Sequence, residues 1–95
     1  MNHFILTATL IAKEALRYTP AGLPVVQCQL EHCGEVIEDQ QVRRIQMSLT
    51  AIAIGTIAQQ LEQWPLGEQR QCEGFMAPQS QRSQRLVFHI TNLNT

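Results

Sequence analysis

The sequence lacks cysteine pairs, long apolar runs and a basic leader, and each absence excludes a class of protein. Its cysteines, Cys28, Cys33 and Cys72, form no C-x-x-C pair, so neither a disulfide framework nor a zinc site is expected. The longest apolar runs are interrupted by Thr, Lys or Gln, which leaves none long enough to span a bilayer. The first residues carry no basic n-region of a signal peptide, so we expect a cytoplasmic protein without a membrane segment.

Motifs of catalysis are also missing. The chain has no phosphate-cradling glycine loop, no HExxH and no nucleophile elbow. A single domain over residues 1–95, with only 16% charged residues, offers little room for a catalytic cleft. We therefore expect a binding protein without cofactor or metal, and not an enzyme. Eight acidic residues outnumber seven basic ones, so any contact with nucleic acid depends on local clusters of cations.

Alternating apolar residues on both sides of a Pro/Gly turn predict a β-hairpin near the N-terminus. Pro20 presets φ for a turn position, and Gly22 tolerates the positive φ that such a turn often requires. The alternation on either side is typical of half-buried strands. Its apolar positions are Phe4, Leu6, Ala8 and Leu10 before the turn and Val26, Cys28 and Leu30 after it.

Three further strands are predicted downstream of this hairpin. They cover Arg44–Ala51, Gln71–Ala77 and Arg85–Asn92, and they are separated by polar loops at Glu31–Gln41 and Pro78–Gln84. The alternation of these strands predicts inward-facing core residues, and two more phenylalanines are also assigned to the core. The inward residues are Leu86, Phe88 and Ile90, and the additional phenylalanines are Phe4 and Phe75.

A helix is predicted between the third and fourth strands. It begins at Gly55-Thr56, where Thr56 can cap it and Gln59 completes a capping-box pattern. Pro65 ends the helix, and one apolar stripe faces inward. That stripe consists of Ile57, Leu61 and Trp64. The resulting order of elements is typical of the all-β OB-fold, a five-stranded Greek-key barrel with one short helix between strands three and four.

Two stretches of the sequence carry a family resemblance. Asn2–Leu30, with Arg-Tyr-Thr-Pro-Ala-Gly at its turn, and Gly67–Gly74 resemble bacterial single-stranded DNA-binding proteins and their shorter relatives, the primosomal replication protein N (PriB) family. Members of the larger group continue into a Gly/Pro/Gln-rich tail and place aromatic residues along strands two and three. This chain stops at 91–95 and has Gln, Arg and Ser on those strands. The resemblance is therefore to the PriB family.

The resemblance implies an accessory protein of the replication-restart primosome. It implies a homodimer that binds single-stranded DNA and the primosomal helicase PriA, with DnaT and single-stranded DNA-binding protein as further possible partners. In the family, the first strand joins the two barrels of the dimer. Here the outer face of that strand is β-branched, as expected of an unprotected edge or sheet surface that another copy covers. The residues of this face are Ile5, Thr7, Thr9 and Ile11.

Single-strand binding combines cations along a groove with flat rings on which bases stack. The candidate DNA-binding residues are Arg44, Arg82, Arg85, Arg43, Gln46, Arg17 and Tyr18. The chain departs from the family at Arg44, where relatives carry an aromatic residue, and around Arg82, where they carry several lysines. With a net charge of −1, we expect weak DNA binding.

Other interpretations stay open at this point. The protein can be an interaction adaptor with residual DNA binding, or a single-stranded DNA-binding protein without a tail. The arginines can be ordinary solvated charges, and Tyr18 can pack across its hairpin. His32 and His89 are expected to be surface or structural residues.

Overall fold

A computed structural model describes residues 1–94 as one six-stranded sheet with one helix. The five long strands match the predicted ones, and a short additional strand pairs with the start of the second long strand. Thr95, the last residue of the predicted domain, lies outside the described residues. No helix in the described range is long and apolar enough to cross a membrane. The elements are β1 (Phe4–Lys13), β2 (Arg17–Tyr18), β3 (Pro24–Glu38), β4 (Gln41–Ile54), α1 (Thr56–Glu62), β5 (Gln69–Pro78) and β6 (Leu86–Asn94).

The sheet closes into a barrel because β1 has a partner on each side. The strand order is β1-β5-β6-β4-β3-β2, and β1 also pairs with β3. The pairing of β4 with β6 is parallel, through Ala51↔Phe88 and Ile52↔His89. The predicted OB-fold, with its helix between the third and fourth long strands, is confirmed. The outer face of β1 is therefore a sheet surface, and the alternative of an unprotected edge is wrong.

The loop predicted over residues 31–41 is wrong, because the two strands continue through it. Only Asp39 and Gln40 connect β3 to β4, and both have positive φ, 51° and 65°. Positive φ at both central residues is the backbone of a type I′ turn, whose twist matches that of paired strands. Pairing runs unbroken from Val25↔Ile54 to Glu38↔Gln41. Residues 32–47 thus form a two-stranded arm that extends beyond the pairing of β3 with β1 and of β4 with β6.

The helix closes one end of the barrel. Ala58 and Leu61 are buried, as is Trp64 just beyond the helix, and the Trp64 indole N–H donates to the carbonyl of Glu68 at 2.8 Å. The predicted capping box is wrong: the N-cap is Gly55, with φ 91°, and no side chain of the described residues caps the helix. A positive φ is strained for other residues, which explains glycine at this corner.

Three residues assigned to the core by alternation are largely exposed. Phe88 is buried as expected, but Phe4, Phe75 and Leu86 are 49%, 37% and 57% exposed. Phe4 and Leu86 are the first residues of their strands. Phe75 lies on the outer face of β5, because the residues on either side of it face the core. Gly74 is buried there and Met76 is partly buried.

Cys28 and Cys72 are buried free thiols, whereas Cys33 on the arm is exposed. Burial raises the pKa of Cys28 to about 12 and that of Cys72 to about 11. Both groups are therefore neutral thiols that pack as small apolar residues.

Candidate nucleic-acid interface

A groove of about 330 Å³ lies on the outer face of the barrel. Strand register builds it, because Gln27 pairs with Ile52, and Ile52 pairs in turn with His89. These neighbours point to the same side of the sheet, away from the core. The residues that line the groove are Arg17, Gln27, Thr50, Ile52, Ile54, Gln79, Val87 and His89.

The groove is bordered at one end by Arg17 and at the other by the loop between β5 and β6. Arg17 belongs to β2, at one end of the strand order, whereas Gln79 opens the loop between β5 and β6 toward the other end. The Gln79 N–H donates to the carbonyl of Arg85 at 2.8 Å, and the Arg85 N–H donates to Ser83 Oγ at 3.0 Å. These bonds hold the loop next to the groove, with Arg82 and Arg85 exposed on it.

Four of the seven basic side chains are engaged by groups of the protein itself. Lys13 Nζ donates to the carbonyls of Glu62 and Trp64, at 2.6 and 3.4 Å. Arg70 binds the Glu68 carboxylate at 2.8 Å and lies 5.9 Å from the centre of the Trp64 ring. The other two are on the arm, where Arg43 pairs with Glu38 and Arg44 pairs with Glu35.

The other three basic residues are the ones near the groove. Within residues 1–94, Arg17, Arg82 and Arg85 have no carboxylate within 4.0 Å. An exposed guanidinium without an internal partner can bind a phosphate without first breaking an ion pair. Although the net charge of the chain is −1, one of these three cations lines the groove and two lie on the loop beside it.

The arm carries the remaining predicted basic site. Arg44 and Gln46 share an outer face with Thr50 of the groove, because residues two apart on a strand point to the same side. Arg44 lies about 20 Å along β4 from Thr50, at about 3.3 Å per residue. Arg43 points to the opposite face. The structure thus aligns Arg44 and Gln46 with the groove, while the nearby Glu35 carboxylate, 3.7 Å away, offsets the charge of Arg44.

Tyr18 is placed apart from the groove. It is 68% exposed and follows Arg17 directly on a strand, so the two side chains point to opposite sides. The structure therefore places Arg17 in the groove and Arg82 and Arg85 on the loop next to it. Arg44 and Gln46 lie on the extension of the groove, whereas Tyr18 and Arg43 are separate from it.

A stacked ring pair, which the expected core position of Phe75 does not predict, lies beside the groove. Phe75 and His89 lie directly opposite each other on β5 and β6, with ring centroids 4.7 Å apart and planes within 10° of parallel. Burial lowers the pKa of His89, so its ring is neutral at neutral pH. The alternation of β5 is the sequence signal for the outward position of Phe75. Side chains alternate along a strand, so Phe75 faces outward when Cys72 and Gly74 face inward.

Comparisons with known proteins agree with this fold. A family model described as "Another single-strand binding protein family" matches residues 2–92. The chain is 38% identical over 90 residues to replication restart protein PriB of Bordetella pertussis, covering 95% of this chain and 84% of the relative.

Solved structures show the same relationship. The protein priB from Ralstonia solanacearum superposes with a TM-score of 0.90 at 38% identity, covering 99% of this chain and 96% of that one. The single-stranded DNA binding protein from Thermus aquaticus shares the fold, with a TM-score of 0.74 at 21% identity, covering 99% of this chain and 49% of that one. The chain belongs to this single-strand binding protein family and, within it, to the PriB family of replication restart proteins.

Proposed function

We propose that this protein is a non-enzymatic accessory factor of replication restart that binds single-stranded DNA weakly in the groove and associates with the primosomal helicase PriA. The observation that supports DNA binding is the placement of the unpaired cations. Arg17 lines a groove on the outer face of an OB barrel, and Arg82 and Arg85 lie on the loop that begins at the groove residue Gln79. Oligonucleotides bind to such a face and its loops in OB-folds. The names of the relatives support the role in replication restart.

Weak binding follows from the small number of available charges. Three unpaired arginines give about three phosphate contacts, so the slope of log affinity against log salt should be about −2. We expect a dissociation constant of roughly 10⁻⁴–10⁻⁶ M at physiological salt, the range of non-specific binding. Fluorescence anisotropy of a labelled oligonucleotide, titrated at several salt concentrations, measures both quantities. Nanomolar affinity would refute weak binding, and no binding even at about 50 mM salt would refute the DNA role.

We propose further that the protein is a homodimer joined through the outer face of β1. Ile5 and Ile11 on this face are 57% and 45% exposed, although isoleucine is among the residues most often buried. The Thr7 carbonyl on the same strand accepts a hydrogen bond from His32 Nδ1 at 2.7 Å, which ties the base of the arm to the strand. A dimer would also place two grooves on one particle and raise the effective concentration of each for a shared DNA strand.

Replacing Thr9 by Lys should dissociate this dimer, because it would bury two charges without partners at a symmetric contact. Multi-angle light scattering at micromolar concentration should show about twice the chain mass for the natural protein and the chain mass for Thr9→Lys. Gln59→Lys, an exposed charge of the same kind on the helix, is the control and should leave the mass unchanged. A monomeric natural protein would contradict the proposal.

A second function is favoured by the charges of the arm. Arg43 and Arg44 are both paired with acidic residues, and Ile37 and Val42 at the arm tip are 77% and 68% exposed. These features suit a protein partner better than a phosphate backbone, as expected of an interaction adaptor. A pull-down of the helicase with and without forked DNA distinguishes the two, because an adaptor retains the helicase when DNA is absent.

A further inference from the structure

We propose that the Phe75–His89 pair is a stacking platform for a nucleobase, so that this chain supplies a flat ring from β5 and β6 rather than from the arm. This inference rests on the proposed binding of single-stranded DNA and specifies where a base, rather than a phosphate, is held. Its basis is the juxtaposition of two parallel rings with a groove that the unpaired Arg17 lines.

The geometry of the pair leaves a ring surface open. The centroid separation of 4.7 Å with nearly parallel planes is an offset stack, the arrangement that aromatic rings prefer. His89 is inside the groove lining, and Phe75 beside it remains 37% exposed. A third flat ring can therefore continue the stack. A nucleobase is such a ring, and base stacking on an aromatic side chain tolerates any base.

The N-terminal segment holds the border of this platform in place. The Asn2 side chain makes two hydrogen bonds to the backbone of Met76, donating to its carbonyl at 2.6 Å and accepting from its N–H at 3.0 Å. The pairing of β1 with β5 then begins at Phe4, opposite Gly74, which directly precedes Phe75. Met76 directly follows Phe75, so these bonds fix the backbone that orients the ring. This gives Asn2, which begins the resemblance to the family, a physical role.

The charges near the platform suit a base better than a phosphate. Glu73 is two residues from Phe75 on the same face, and its carboxylate is 2.9 Å from His3 Nε2. A carboxylate at this position repels a phosphate, whereas an uncharged base meets no such cost. The unpaired Arg17 lines the groove that also contains His89. A strand with its backbone toward the arginines and one base toward Phe75 satisfies both parts of the surface.

The test compares an oligothymidylate with an oligonucleotide of equal length and charge in which the bases are replaced by abasic sites. Natural protein should bind the thymidylate at least about 5-fold more tightly, the lower end of one base–ring stack. Phe75→Leu, which keeps an apolar side chain but removes the ring, should reduce that preference to about 2-fold or less, whereas Phe75→Tyr should retain it. Phe4→Leu is the matched control, because Phe4 is also about half exposed but lines a different cavity.

A spectroscopic readout separates stacking from a general loss of structure. The emission of Phe75→Trp should be quenched by the thymidylate and not by the abasic strand, while the natural Trp64 is buried and contributes a constant background. Equal affinity of the natural protein for both strands would overturn the platform and leave the proposed DNA binding intact. An undiminished preference in a folded Phe75→Leu protein would do the same. Failure of the natural protein to bind either strand would overturn both proposals.

Discussion

Replacing Arg17, Arg82 and Arg85 together by Gln should weaken the binding of single-stranded DNA by about 10- to 100-fold at low salt. The estimate assigns ~0.5–1 kcal/mol to each exposed charge contact. The salt dependence should change with it, because each lost phosphate contact makes the slope less steep by about 0.7. The triple variant should therefore show almost no salt dependence. Anisotropy titrations between about 50 and 200 mM salt measure both effects. The fold should be unaffected, since these side chains make no ion pair within residues 1–94.

A matched pair of single variants tests whether the groove, and not total charge, is responsible. Arg85→Gln and Arg70→Gln remove the same charge, but Arg70 is bound to Glu68 and lies over Trp64 beside the helix. Arg85→Gln should lower affinity about 2- to 5-fold, and Arg70→Gln should change it less than about 2-fold, for the same energy per contact. Equal losses from both variants would show that the groove has been assigned to the wrong face of the barrel.

The order of strands and helix along the chain could be predicted from the sequence because it depends on strong local signals. Period-2 alternation, a Pro/Gly turn and one helical stripe suffice to give the strand and helix order of an OB barrel. The sequence does not predict the arm, because its outer positions are charged, for example Glu35 and Arg44, and its turn has no Asn-Gly or Asp-Gly signal. Two exposed strands that pair only with each other carry no buried face, so composition cannot distinguish them from a loop.

The candidate site was only partly predictable for a different reason. Which residues are basic is visible in the sequence, but which basic residues already have a partner depends on register. Arg44 faces Glu35 across the β3–β4 pairing, and Arg43 is joined to Glu38 near the turn. A loop at 31–41 would have made neither pair. Phe75 was assigned to the core as a phenylalanine in a strand, although the parity of its neighbours places it outside.

The largest loss of stability is expected from Gly74→Ala, on β5 where the backbone of β6 leaves no room for a Cβ. A Cβ built at Gly74 would lie 1.8 Å from the carbonyl oxygen of His89 and 3.1 Å from the Cα of Ile90. Both are backbone atoms in a paired strand, so no side chain can rotate away. The pairing of β5 with β6 is irregular at this point: Glu73 pairs with Asn92 and the next residue, Gly74, pairs with Ile90, so β6 has one extra residue. Such a bulge brings the two backbones close together at Gly74.

Relief of this contact would require the two strands to separate over several residue pairs. The cost should exceed about 3 kcal/mol, above the usual range for overpacking, and is a large part of the ~5–15 kcal/mol that stabilises a typical domain. Urea unfolding followed by circular dichroism should show a much lower midpoint, or no cooperative transition. Gly34→Ala on the arm is the control: its added Cβ meets only the His32 side chain, at 3.0 Å, and should change stability by less than about 1 kcal/mol. Similar midpoints for the two variants would mean that β5 and β6 are not held this closely at Gly74. The backbone of His89 is the contact of Gly74, so the close approach at this glycine also fixes the backbone that carries the ring on which Phe75 stacks.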